Sequence, residues 1–533
     1  MRSRFRLILA SIVLVSVVGA AAHADTPANW PSYNRTLTSE RFSPLTSIDT
    51  TNASRLKVAC TYDTGQMTAF QSGLIQINGA LLATTEHDTF SINPDTCKAN
   101  WRVREEFPDG YLGAQRGVAL ADGRVFRGAG NGHVYAYDEK SGQRLWDTVI
   151  ADADKGESVP ASPITWNGYV FIGNAGGDNR GVKGRIYALD AATGKIVWEF
   201  YLVPKAPGDL ERGPQGKGTA PASTWQTPAK EITGGATWTS YSLDPATGEL
   251  YIPGGNPAPD FAKGRRKGSN LFAGSVVVLD AKTGAYKRHV SIVTEDFHDY
   301  DVSSAPVLFT SMNGTRAMAV APKDGFLYVY DRGSDRRLYR LALTTQLNTK
   351  TPMSGKGVRF CPGTQGGAEW NGPAYDPSHD TLITGEVDWC STVRFDDDAA
   401  IESTPPGKPW TGSSKDGFGT QDPQSKWAGW ITSLDAVTGQ QRWRFKSPNP
   451  IIGGVTPTAG NVVLFGDMGG NFFALNSATG TKLGQWDLGG AVSGGVITYD
   501  TGAGQKVAVT TGMTSKIWPT PKVTAKVVVL TAE

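Results

Sequence analysis

Two aspartates flank a single tyrosine in the stretch TEDFHDYDVSSAP, residues 294–306: Asp299 and Asp301, with Asp296 and His298 just upstream. Carboxylates set this close can bind a hard cation through anionic oxygens, and one of them can serve as a general base. Small and polar residues surround a run with no helical period, so it reads as a loop or strand end. A solvated turn is the alternative. Hydrolase and haem signatures are absent: the chain has no His-Glu-x-x-His, no Gly-x-Ser-x-Gly and no Cys-x-x-Cys-His.

The chain bounds what such a pair can be for. Arg2, Arg4 and Arg6 precede the apolar run Leu7–Val18, and Ala22-His23-Ala24 supplies small cleavage residues, so residues 1–24 read as a secretory signal peptide cut before Asp25. No later stretch could span a bilayer, and residues 25–533 read as one exported domain. Without the three leader arginines, 49 basic side chains face 50 acidic ones, giving a net charge of about −1. That excludes the basic excess of a nucleic-acid binder. The one basic cluster, Lys263-Gly-Arg265-Arg266-Lys267, reads as a solvated loop. Four cysteines in an exported chain point to two disulfides, with Cys60–Cys97 and Cys361–Cys390 the neighbouring pairs among three possible connectivities.

One phrase recurs and says what must position the aspartates. It reads GHVYAYDEKSGQRLW at 132–146, GRIYALDAATGKIVW at 184–198, GSVVVLDAKTG at 274–284 and GFLYVYDRGSDR at 325–336. It returns as GWITSLDAVTGQQRW at 429–443 and GNFFALNSATGTKL at 470–483, with a degenerate copy, TFSINPDTCKANW, at 89–101. Each copy is an alternating strand ending at Asp or Asn, a tight turn with glycine or a substitute four residues on, and a second strand that ends in tryptophan in four copies. Each such hairpin belongs to one four-stranded blade, and the two long intervals, Asp190–Asp280 and Asp331–Asp435, hold insertions. A terminal strand set around KVAVTTG (506–512) makes eight blades, the last expected to be completed by the N-terminal segment near Trp30. The fold class is all-β, an eight-bladed propeller.

The insertions carry GGATWTSYSLDPATGELYIPGGNPAPDF (234–261) and CPGTQGGAEWNGPAYDP (361–377). With the opening WPSYNRTLTSERFSPLTSID (30–49) and the Trp-bearing repeat, they resemble the pyrroloquinoline-quinone (PQQ)-dependent alcohol dehydrogenases over nearly the whole processed chain. The resemblance implies a central quinone lying on Trp238 over a metal ion, with Thr237, Gln71, Arg116 and Lys323 as further cofactor-binding residues. Trp238 offers a flat face to an electron-poor ring, Arg116 a bidentate grip on a carboxylate, and Lys323 a charge beside the quinone oxygen. It implies Asn256 and Asp299 as metal ligands, with Asp299 also the catalytic base. Asp301 is similar to the extra acid of members that use a lanthanide rather than calcium, and a residue two along a strand faces the same way. Asp178 stands nearest to where the family places a metal-binding glutamate. Glu369 replaces an amide, and DGYLGAQRG occupies the place of a vicinal cysteine pair.

Two readings follow. One is a periplasmic dehydrogenase that oxidises a small alcohol by hydride transfer to PQQ and passes electrons to a separate acceptor such as a cytochrome c. The other is a non-catalytic propeller serving as a binding or assembly scaffold in the cell envelope.

Overall fold

A computed structural model describes residues 28–532; the expected signal peptide lies outside them. Eight four-stranded antiparallel sheets hold most of the strands among the described residues. In blades 1 to 3 the four strands are consecutive, beginning at Ile75–Ile77, Ala119–Ala121 and Ile164–Trp166. Blades 4 to 7 begin at Ser242–Asp244, Val307–Thr310, Ala374–Asp376 and Thr456–Pro457. First strands of successive blades touch one another (blade 2 with 3, 4 with 5, 5 with 6, 6 with 7), which sets them around a common axis.

The recurring phrase is the outer hairpin of each blade, and its physics is local. The carboxylate of Asp138 accepts from the Ser141 backbone N–H and hydroxyl at 2.8 and 2.7 Å, and Asp190, Asp280, Asp331 and Asp435 cap their turns in the same way. Four residues on, Gly142, Gly194, Gly284, Gly439 and Gly480 hold φ near +70°, where a side chain would be strained. Cys97 and Asp335 substitute for glycine at the same φ sign.

Each tryptophan then docks on the next blade's turn. Trp101, Trp146, Trp198 and Trp443 donate their indole N–H to the carbonyls of Glu139, Ala191, Ala281 and Ser477, each one residue past the Asp or Asn that caps the turn. The rings lie on Gly142, Gly194, Gly284 and Gly480, where an added Cβ would come within 2.6–2.8 Å. The glycine therefore serves both the turn and the inter-blade contact. Tyr339 fills the tryptophan position in blade 5 and donates to Ala436 O at 3.1 Å.

The ring closes differently from the sequence expectation. Blade 8 consists of Val492–Asp500, Gln505–Thr511 and Lys526–Ala532, and its outer strand is Leu56–Asp63, in register Leu56 with Ala532 through Asp63 with Lys526. Trp30 is not in that strand. The segment around it lies along the inner strands: Trp30 pairs with Gln76, and Leu37, Thr38 and Glu40 carbonyls accept from Leu243, Leu308 and Tyr375. Trp30 is buried because it fills this central position, while Leu56–Asp63 is half exposed and shows no buried alternation. The Cys60–Cys97 disulfide ties the closing strand to the turn of blade 1, and Cys361–Cys390 staples the insertion before blade 6. Among the described residues no helix is long and apolar enough to cross a membrane.

Candidate active site

In an antiparallel blade, the loop joining the second and third strands leaves on the same face as the loop leading to the next blade. The candidate residues all occupy such loops. Asp178, Asn256 and Lys323 follow the second strands of blades 3, 4 and 5, while Gln71, Arg116, Thr237, Trp238, Asp299 and Asp301 precede first strands. Glu369 does too, so the long insertions and the chemistry share one face.

At the centre of that face lies a group of acids. One carboxylate oxygen from each of Asp178, Asp260 and Asp299 lies within 4.8 Å of the other two. Lys323, buried, reaches Asp299 at 2.6 Å and Asp301 at 3.3 Å. Asp301 also accepts from the Asn256 N–H at 3.0 Å, an approach that needs Gly255 because a Cβ there would lie 2.8 Å from the Asp301 carboxylate. The segment 294–306 is a loop, not a strand, and Asp299 has φ +66°, an uncommon backbone state for a non-glycine residue. The two aspartates are therefore not brought together by strand alternation. A left-handed residue and a shared ammonium do it.

The charges constrain one another. Low-dielectric surroundings, then Asp301, push the Asp178 carboxyl up to about 6, with Lys323 and the Asn256 amide opposing. Burial raises Asp299 strongly; Lys323 opposes this, and Asp301 and Asp178 add to it. Burial would lower Lys323, but Asp299, Asp301 and Glu369 outweigh it and hold the ammonium charged. Burial likewise lifts Glu369 to about 7 against the pull of Lys323.

Beside the acids is an aromatic and cationic face. The Arg116 guanidinium sits 4.6 Å from the Trp238 ring centroid and 5.2 Å from that of Trp370, and donates to Trp238 O at 3.0 Å. Its Nε is buried without a hydrogen-bond partner, and burial lowers its pKa to about 10. Trp518 packs edge-on to Trp370 with centroids 6.4 Å apart, and the Gln71 amide lies against Met513. Thr237 is held through its backbone, which donates to Asn174 O at 3.0 Å. The loop standing where vicinal cysteines would fall is pinned by Glu86, which accepts from Gly110 N, and by His87, 2.9 Å from Asp109.

These residues fit the two groups implied by the sequence. Several anionic oxygens and an amide converge as a hard cation requires, and a flat indole with an arginine carrying an unpaired donor suits a planar acid. The structure brings all the sequence-chosen residues to one face, with Asp178, Asp299, Asp301, Asn256 and Lys323 in one cluster. Sequence reasoning missed Asp260, whose only signal was its place four residues after Asn256. It also misread Arg266. The cluster 263–267 is not a solvated loop there: Arg266 is 1% exposed and donates to the carbonyls of Pro259, Asp260 and Asp296. Lys263 and Arg265 pair with Glu295, Asp398 and Glu402 at the surface.

Comparison with known proteins places the chain in a family. The family described as "Glucose/ethanol/alcohol dehydrogenase, beta-propeller domain" matches residues 30–342, and the description "Outer membrane protein assembly factor BamB" matches residues 428–531. The quinohemoprotein alcohol dehydrogenase ADH-IIG of Pseudomonas putida is 30% identical over 95% of this chain and 75% of its own. The lanthanide-dependent methanol dehydrogenase of Methylacidiphilum fumariolicum is 25% identical over 89% of this chain and 82% of its own. The solved structure of quinohemoprotein alcohol dehydrogenase ADHIIG from Pseudomonas putida HK5 superposes with a TM-score of 0.85 at 26% identity, over 95% of this chain and 80% of that one. By fold, by family match and by these relatives, the chain belongs to the PQQ-dependent quinoprotein alcohol dehydrogenases.

Proposed function

We propose that this enzyme oxidises a small primary or secondary alcohol in the periplasm, with a lanthanide as its preferred metal and a cytochrome c-like protein as its separate electron acceptor. The observation that carries the reading is the convergence of Asp178, Asp299 and Asp301 with Asn256 and Lys323 beside the Trp238–Arg116 face. Asp178, Asn256, Asp299 and Asp301 hold the metal, and Trp238, Thr237, Arg116, Lys323 and Gln71 hold the quinone. When bound, the quinone supplies the acceptor for the hydride that leaves the alcohol carbon.

The chain's own residues supply the rest. Alcohol oxidation releases the hydroxyl proton along with the hydride, so a base must stand at the reacting oxygen. Asp299 takes that proton. Burial favours the neutral form of Asp299, and the Lys323 ammonium at 2.6 Å opposes it by favouring the ionised form that a base requires. Arg116 and Trp238 orient a planar acid by charge and by face. Asp301 contributes one more anionic oxygen than calcium requires. Coulomb attraction scales with the product of charges, so a trivalent ion gains half as much again as calcium from it. A relative named for lanthanide dependence, at 25% identity, supports the same choice.

The test is reconstitution with PQQ and either calcium or lanthanum, followed by dye-linked oxidation of short alcohols. Lanthanum should activate better than calcium, and Asp301→Ala should reverse or abolish that preference. Full activation by calcium with none by lanthanum would make Asp301 a loop residue and remove the lanthanide reading.

A further inference from the structure

Asp260 distinguishes itself from the other buried acids of this region. Asp296 accepts from the backbone N–H groups of His298 and Tyr300, and Asp324 accepts from Phe326 N and the Tyr328 hydroxyl. Asp260 is wholly buried, and neither of its carboxylate oxygens has a hydrogen-bond partner. A buried carboxylate left without a partner is costly, so its position calls for a reason.

The loop is built to aim it. Arg266 grips the backbone carbonyls of Pro259 and Asp260 rather than the carboxylate, and joins them to Asp296 O at 2.8 Å. Phe261 N donates to Thr411 O at 2.8 Å on the other side. With the backbone fixed at both points, the side chain is left directed at Asp178 and Asp299, sharing the 4.8 Å cluster with them. The guanidinium's charge is shared between Asp296 and Asp260, while its hydrogen bonds to this loop go to backbone carbonyls.

We propose that Asp260 is a further metal ligand, completing a set of four aspartates with Asp178, Asp299 and Asp301 that selects a trivalent cation. The proposal rests on the functional reading above and deepens it. Charge decides between metals. Asp260 adds a further anionic oxygen beside those of Asp178 and Asp299, and a trivalent ion gains half as much again as calcium from each added carboxylate.

The test uses Asp260→Ala and Asp260→Asn beside the wild type, each loaded with PQQ and titrated with europium(III), reading luminescence and its lifetime in water and in deuterium oxide. Both variants should bind europium at least ~10-fold more weakly, the loss expected when a site's carboxylate is removed. The alanine variant should also gain a metal-bound water. Thermal unfolding of the metal-free proteins supplies a readout of opposite sign: removal of an unpartnered buried acid should raise the unfolding temperature, so weaker binding cannot be put down to a damaged fold. Unchanged affinity and unchanged hydration in both variants would overturn the assignment while leaving the dehydrogenase reading intact. Failure of the wild type itself to take up europium would overturn both this assignment and the lanthanide preference.

Discussion

Lys323 is the only cation in direct contact with Asp299 and Asp301 among the described residues, at 2.6 and 3.3 Å, and all three are buried. Lys323→Met keeps most of the side chain's volume and removes the charge. In metal-free protein the two aspartates then face each other uncompensated, a loss of about 3–5 kcal/mol for breaking a buried ion pair. Unfolding entropy of about 2.1 cal/mol/K per residue over roughly 500 ordered residues is about 1 kcal/mol/K, so the unfolding temperature should fall by about 3–5 °C. Saturating lanthanum should erase most of that deficit, because the metal meets the same carboxylates. Turnover should not return with stability, since the quinone loses its neighbouring ammonium. Differential scanning calorimetry with and without lanthanum, alongside dye-linked activity, reads both. An equal fall in unfolding temperature with and without the metal would refute the argument that Lys323 and the cation serve the same acids.

Further outcomes follow from single residues. Asp299→Asn should preserve the fold and quinone binding but cut turnover by at least ~10²-fold, the usual worth of a general base; steady-state kinetics on the reconstituted variant checks it. Asp324 is buried with its carboxyl raised to about 7, chiefly by desolvation. Its folded-state pKa exceeds the unfolded value, so stability present at acid pH is lost as pH rises from about 4 to about 7. Asp324→Asn should therefore gain about 3 kcal/mol relative to wild type between pH 5 and pH 8 in denaturant titrations. Cys60→Ser with Cys97→Ser opens a loop with sequence separation 37 and should cost about 4 kcal/mol by the chain-entropy model, with activity per folded molecule unchanged.

What the sequence revealed was whatever is encoded locally. The acid that caps each turn, the residue four positions on and the tryptophan that docks next door are all determined within one hairpin, so the blade count could be read from the repeats. The strand that closes the ring was illegible for the opposite reason. LKVACTYD alternates apolar Leu56, Val58, Cys60 and Tyr62 with other residues, but it belongs to no copy of the repeated hairpin, and its partner lies at the other end of the chain. Asp299, Asp301, Asn256 and Lys323 were found because each stands in a motif of its own. Asp260 has no such frame: its burial comes from loops far apart in sequence. Arg266 was misjudged because arginine among glycines suggests solvent, whereas the carbonyls that hold it come from two separate segments, Pro259–Asp260 and Asp296.

The closing strand also sets when this enzyme can exist during its synthesis. Leu56 meets Ala532 across a sequence separation of 476 (532 − 56), and every blade between them lies within that span. Confining a loop of that length costs on the order of 5 kcal/mol in the logarithmic term alone, against far less for any single hairpin. A partial chain emerging in order gains local turns and inter-blade contacts as it grows, but its first and last blades keep exposed edges until the final strand arrives. Ring formation is thus a terminal, all-or-none event. Premature truncation anywhere before Lys526 would leave a curved stack with two sticky ends rather than a smaller working enzyme.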